Sequence, residues 1–137
     1  TTMADSYSFP WTWRRVEPGM SGGVSLPGTL GALAGAATVF APIPLVGAAR
    51  LETLGWAPAL LIVVTGGLMA SLVDSMLGAT AQALYREAGS QALTECPTGH
   101  GRANPLVRGW RWMNNDRVNL ACTFTGAALV AVTALAL

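Results

Sequence analysis

Two carboxylates and one glycine-rich run carry most of the chemistry open to this sequence. Asp74 lies in GGLMASLVDSMLGATAQ, from Gly66 to Gln82, and between Thr53 and Tyr85 no other residue is charged. An ionisable side chain at membrane depth costs at least about 2.5 kcal/mol, so it is retained where it faces protein, water or a ligand. Asp116 follows Asn114 and Asn115 and precedes Arg117 and Asn119. Carboxylates of this kind suit Mg²⁺, whose sites combine one or two carboxylates with substrate phosphates. The third element, Gly19 to Ser25, leads into a helical pattern, and such a loop presents unpaired N–H groups and a positive dipole end that bind anions. Together these describe phosphoryl transfer at a membrane surface. Asp74 and Asp116 would be the catalytic metal ligands for Mg²⁺. Gly19, Ser21, Gly22, Gly23, Ser75, Gly78, Gln82, Asn114, Asn115 and Asn119 would line the substrate, with Arg86, Arg111 and Arg117 balancing charge. Each element also has a plainer role. Asp74 can hydrogen-bond a neighbouring helix, the glycines can form a tight turn, Asn114 and Asp116 are ordinary helix caps, and Arg111 and Arg117 are ordinary interface anchors.

Positioning these groups falls to three uncharged runs. Between Glu17 and Arg50 lie 32 uncharged residues, more than the ~20 that a membrane-spanning helix requires. The glycine-rich start is unsuited to regular helix, and Pro27 fits a first turn, so the first span is placed at 27–47, broken late by Pro42 and Pro44. Gly31 and Gly35 form a GxxxG pair within it. A polar turn at Arg50, Leu51 and Glu52 precedes a second span at 58–84. On that span Gly67, Ser71, Ser75 and Ala79, and beside them Ala70, Asp74, Gly78 and Gln82, form a face of small and polar side chains. Residues 86–116 form a long polar connection, and 118–137 is a third span. The fold class is all-α, a single multi-pass integral membrane domain over 1–137. Arg next to Trp, at Trp11 to Arg15 and again at Arg108 to Trp112, marks an interface. Seven of the eight Arg lie in the N-terminal segment, in the long connection or, as Arg117, directly after it, and the positive-inside rule places that side in the cytosol or a matrix compartment.

Composition sets the exclusions. The chain is 52% hydrophobic and 11% charged with a net charge of +1, which speaks for a membrane and against nucleic acid as a partner. It has no Lys, so a Walker-type phosphate loop and a lysine Schiff base are both out. Cys96 and Cys122 lack paired or metal-ligand spacing, and His100 has no Cys or His at short spacing. The opening residues carry neither a charged n-region nor an apolar h-region, so no signal peptide is expected.

Three blocks carry a family resemblance: Gly22-Gly23-Val24-Ser25 with Gly28-Thr29-Leu30 and Ala34-Gly35-Ala36, then Ser71 to Gln82, then Trp112 to Asn119. In order and separation they resemble the transmembrane protein 19 family of integral membrane proteins, over Val16 to Leu137. The plant member of that family is a phytyl-phosphate kinase. The resemblance therefore implies a prenyl or phytyl phosphate as substrate, a nucleoside triphosphate, CTP in expectation, as donor, and a divalent metal. Two departures accompany it. Met20 stands where a Thr is usual, and the family carries additional N-terminal spans with another acidic, Ser-containing motif that nothing here matches. The chain is thus expected to be the C-terminal part of a longer architecture. The alternative is a non-catalytic membrane-embedded subunit, docking lipid and other membrane subunits through its small-residue faces.

Overall fold

The computed structural model of the chain describes residues 6–8, 15–16, 22–46, 48–90 and 92–137. Two short strands, β1 (Ser6–Ser8) and β2 (Arg15–Val16), pair with β3 (Gly23–Val24) in an antiparallel sheet of order β2-β1-β3. This sheet delivers the chain to the first helix, α1 (Leu26–Phe40). Ser25 caps it from extended backbone, its Oγ accepting from Gly28 N at 3.2 Å, and Pro27 occupies the first turn. The helix stops where Pro42 and Pro44 withdraw their donors. A turn at 41–42 leads to α2 (Ile43–Val46), and the apolar span as a whole runs over Leu26–Leu45.

The expected polar turn at residues 50–52 is instead part of a helix, α3 (Ala48–Leu54). Leu51, 5% exposed, is its buried anchor, and the turn forms three positions after Glu52, at Gly55. Gly55, at φ +85°, closes α3 by donating to Leu51 O at 2.8 Å and opens the central helix, α4 (Trp56–Thr80). That helix is 25 residues long, about 37 Å at ~1.5 Å per residue and longer than a ~30 Å hydrocarbon core.

α4 ends four residues before the expected boundary. Leu84 lies in a strand, β4 (Leu84–Arg86), which pairs with β5 (Leu93–Thr94) on one side and β8 (Leu106–Arg108) on the other. A hairpin of β6 (Thr98–Gly99) and β7 (Arg102–Ala103) completes the long connection, which is therefore built of small sheets. Asn104, 6% exposed, ties it together: its Oδ1 accepts from Ala88 N and its Nδ2 donates to Cys96 O. The last helix is α5 (Asn115–Ala136), capped by Asn114, whose Oδ1 accepts from Arg117 N at 3.1 Å.

Among the described residues, three helical segments are long and apolar enough to cross a membrane: Leu26–Leu45, Trp56–Thr80 and Asn115–Ala136. The central one packs antiparallel against both others. A methyl group on Gly67 would lie 3.1 Å from Ala36 Cβ on α1. On the opposite flank, a methyl on Gly66 would meet Val130 Cγ2 at 2.5 Å, and one on Gly126 would meet Ala70 Cβ at 2.9 Å. Only 6 to 11% of each span's most apolar window is buried inside the chain, so most of the helical surface faces lipid or other helices.

Candidate functional site

The α4–α5 register positions Asp74. With Gly66 opposite Val130 and Ala70 opposite Gly126, the next turn brings Asp74 beside Cys122, and the two side chains interact. Cys122 in turn donates from Sγ to Asn119 O at 3.1 Å. Asp74 is thus half-buried on a packed seam, as the small-residue face requires. One turn further, Gly78 meets the glycine-rich loop. A methyl there would lie 2.8 Å from Gly22 N and 3.4 Å from Gln82 Oε1. Gly22, at φ +83°, rests on the Ala79 backbone with no room for a side chain. Two of the elements singled out in the sequence, the glycine loop and the Asp74 face, therefore meet at Gly78. Gly19 and Ser21 lie outside the described residues. Ser75 is half-buried on the same stretch of α4.

Beyond Gly78 the chain leaves the bundle through a tightly buried segment. Ala81, Gln82, Ala83, Leu84 and Tyr85 are all at most 7% exposed. They are held by backbone bonds from the far end of the long connection: Trp110 N to Ala81 O at 3.0 Å and Ala83 N to Met113 O at 2.8 Å. Gly109, at φ +78°, makes this approach possible by lying directly on the carbonyls of Ala81 and Gln82. It also fixes Arg108, whose Nη2 donates to Gly78 O at 2.7 Å. The Arg108 Nε and the Gln82 Nε2 are both buried and find no acceptor among the described residues. Each such donor costs about 1–3 kcal/mol. Burial also lowers the Arg108 pKa from its ordinary value by desolvation, though a guanidinium stays charged.

Arg108 is the residue that sequence reasoning missed. It sits among several arginines of one loop, and nothing in its flanks separates it from Arg86 or Arg111, both of which are exposed. Its role comes from a 30-residue backbone return to Gly78, which no local pattern encodes. Arg117 is engaged differently: it donates from Nη1 to Trp112 O, and its guanidinium lies 5.8 Å from the centre of the Trp112 ring, itself stacked on Trp110.

Asp116 occupies the first turn of α5, where a carboxylate complements the helix dipole, and is exposed, as are Asn115 and Asn119. Asn114 spends its side-chain oxygen on the cap. Asp116 precedes Cys122 by six residues, so it stands about 9 Å along the helix axis from the level of Asp74. Among the described residues no three His, Cys, Asp or Glu side chains group to hold a metal ion. An apolar hollow of about 230 Å³, lined by residues that include Leu51, Ala59, Ile62 and Val130, lies at the opposite end of the bundle and is separate from these polar groups.

A family model described as integral membrane protein DUF92 matches residues 6–127. No curated protein and no solved structure matches the chain.

Proposed function

The chain belongs to the DUF92 family of integral membrane proteins, and from its polar end we propose that it serves phosphoryl transfer to a prenyl or phytyl phosphate, with a nucleoside triphosphate, CTP in the first instance, as donor. The observation that carries this reading is the seating of the Gly22–Gly23 loop on Gly78, in the same α4 face as Asp74 and within reach of the Arg108 guanidinium. Backbone N–H groups and a half-buried cation suit phosphate oxygens, and a carboxylate one turn below suits a hard cation. When bound, Mg²⁺ would neutralise the developing charge on the transferred phosphoryl group. Asp74 would offer it a carboxylate inside the bundle, and Asp116, about 9 Å away along the helix axis, one at the exposed rim. The chain's own residues orient: Gly22 and Gly23 approach the phosphates by backbone, Arg108 balances charge, and Asn115 and Asn119 line the exposed rim. In this reading the polar end faces the cytosol or a matrix compartment, following its arginines.

A second reading is favoured by one feature. Among the described residues, Gly31 and Gly35 on α1 have no atom within 4 Å of where a side chain would begin, so this GxxxG face is open to a further helix. The chain then acts as a membrane-embedded subunit without catalysis of its own.

Equilibrium binding of CTP with and without Mg²⁺, on the purified protein in detergent, separates the two. Metal-dependent binding that Asp116→Ala weakens supports the kinase. Absence of binding together with co-purification of partner subunits supports the subunit. Asp74→Asn should leave membrane insertion intact and abolish phosphorylation of farnesyl phosphate, because an amide holds Mg²⁺ poorly. Unchanged turnover would return Asp74 to packing against Cys122. Orientation is checked with a membrane-impermeant thiol reagent in a Cys122→Ala background: exposed Cys96 and a Glu52→Cys variant should label from opposite sides.

A further inference from the structure

The two orphaned donors have a common neighbour. Gln82 is 3% exposed, yet its Nε2 has no acceptor among the described residues, and the Nε of Arg108 is in the same state. Both residues touch Gly78, Gln82 through the approach of its Oε1 and Arg108 through the bond to the Gly78 carbonyl. The backbones that close in around them, Gly22, Gly78 and Gly109, are all glycine, and a methyl on any of the three would collide with a neighbouring chain segment. We propose that Gln82 and Arg108 together bind the oxygens of a phosphoryl group beside Gly78, in a cradle closed by the backbones of the three glycines.

The chemistry selects this ligand class. Both unused atoms are donors, so the missing partner is an acceptor, and beside a guanidinium an anion is the acceptor favoured over a neutral one. A metal ion is repelled, and an apolar group would leave both donors as they are. Four polar side chains of the long connection are engaged with one another or with backbone. Glu87 pairs with His100 and accepts from Ser90, and Asn104 binds Ala88 and Cys96. Asp74 sits one turn before Gly78 on α4, about 6 Å lower along the axis, against Cys122. Natural proteins retain buried unsatisfied donors where a ligand uses them, at the expense of stability. The phosphoryl group has two possible sources, a soluble nucleotide and a lipid headgroup. For this choice the inference rests on the prenyl-phosphate kinase reading, whose substrate site it deepens.

The test uses two variants of the whole protein, Gln82→Met, which fills the volume without a donor, and Arg108→Lys, which keeps the charge and loses Nε. Two measurements are made: thermal unfolding without ligand, and equilibrium binding of CTP in solution and of farnesyl phosphate in phosphatidylcholine nanodiscs. Gln82→Met should unfold no earlier than wild type and yet bind one probe about tenfold more weakly, as the loss of a hydrogen bond to an anion implies. Arg108→Lys should weaken the same probe, and the probe affected identifies the source. The proposal is overturned if wild type binds neither probe, if both variants bind as wild type does, or if Gln82→Met unfolds markedly earlier without ligand, since Nε2 would then have an internal partner. Should Gln82→Met fail to reach the membrane, Arg108→Lys carries the binding test alone. Weakened binding in the variants of a protein that transfers no phosphate keeps the cradle and removes the kinase. Phosphate transfer with unchanged KM in both variants does the reverse.

Discussion

In the seam between α4 and α5, Gly66, Ala70 and Gly126 bring two helices so close that a single added methyl would overlap the neighbour. On α1, Gly31 and Gly35 show the same four-residue spacing with nothing among the described residues within 4 Å of either position. By sequence the two stripes are the same kind of object, a face of small residues on a long apolar helix. What separates them is the surface opposite. α5 offers Gly126 and Val130 in register with α4, whereas α1 turns its GxxxG pair away from the bundle and packs through Ala36 against Gly67. Spacing makes a close approach possible, and the neighbour decides whether it happens.

The largest test of this difference is Gly66→Leu. The first carbon of the new side chain already falls 2.5 Å from Val130 Cγ2, and Val is stiff at χ1, so the helices must part. The expected loss is about 3 kcal/mol or more, at the upper end for overpacking, read as the unfolding midpoint in detergent. Since Asp74 shares the seam two turns on, the same variant should also shift the reactivity of Cys122 toward thiol reagents. A variant as stable as wild type would mean that the seam is loose. Gly126→Ala is the finer probe. Its methyl meets Ala70 Cβ at 2.9 Å and Gly66 O at 3.3 Å. The helix-forming preference of Ala, up to ~1 kcal/mol, offsets part of the clash, leaving a net loss of about 1 kcal/mol.

The same contrast explains how much of the molecule could be read in advance. Span number follows from the lengths of uncharged runs, a one-dimensional property, and Pro27, Pro42 and Pro44 mark the start and end of α1 because proline acts on its own backbone. The meeting of the Asp74 face with the glycine loop was legible as two polar elements at one end of the spans. The end of α4 at Thr80 was not, because it is set by Trp110 and Met113 bonding to Ala81 and Ala83 from some 30 residues away. The helix at Arg50 to Glu52 reads as a turn in the sequence, since charge is visible there and the burial of Leu51 is not. Arg108 stayed hidden for the same reason as α4's end: its partner is a carbonyl, and carbonyls leave no trace in a residue pattern.

The smallest expected effect is the one that separates the two stripes by sign. Gly35→Ala places its methyl in open space, so nothing opposes the lower conformational cost of Ala in a helix. The isolated chain should gain a few tenths to about 1 kcal/mol. Gly126→Ala, the same substitution at the same kind of position, should lose a similar amount. If α1 docks a further helix in the membrane, the preference reverses once that helix is present. The methyl then stands in the path of a backbone approach, and association measured by energy transfer between labelled copies, or by recovery of a co-purifying subunit, should weaken while the unfolding midpoint of the dissociated chain rises. A Gly35→Ala chain that is less stable when dissociated would mean that the α1 face is already filled from within, and the distinction between the two stripes would fail.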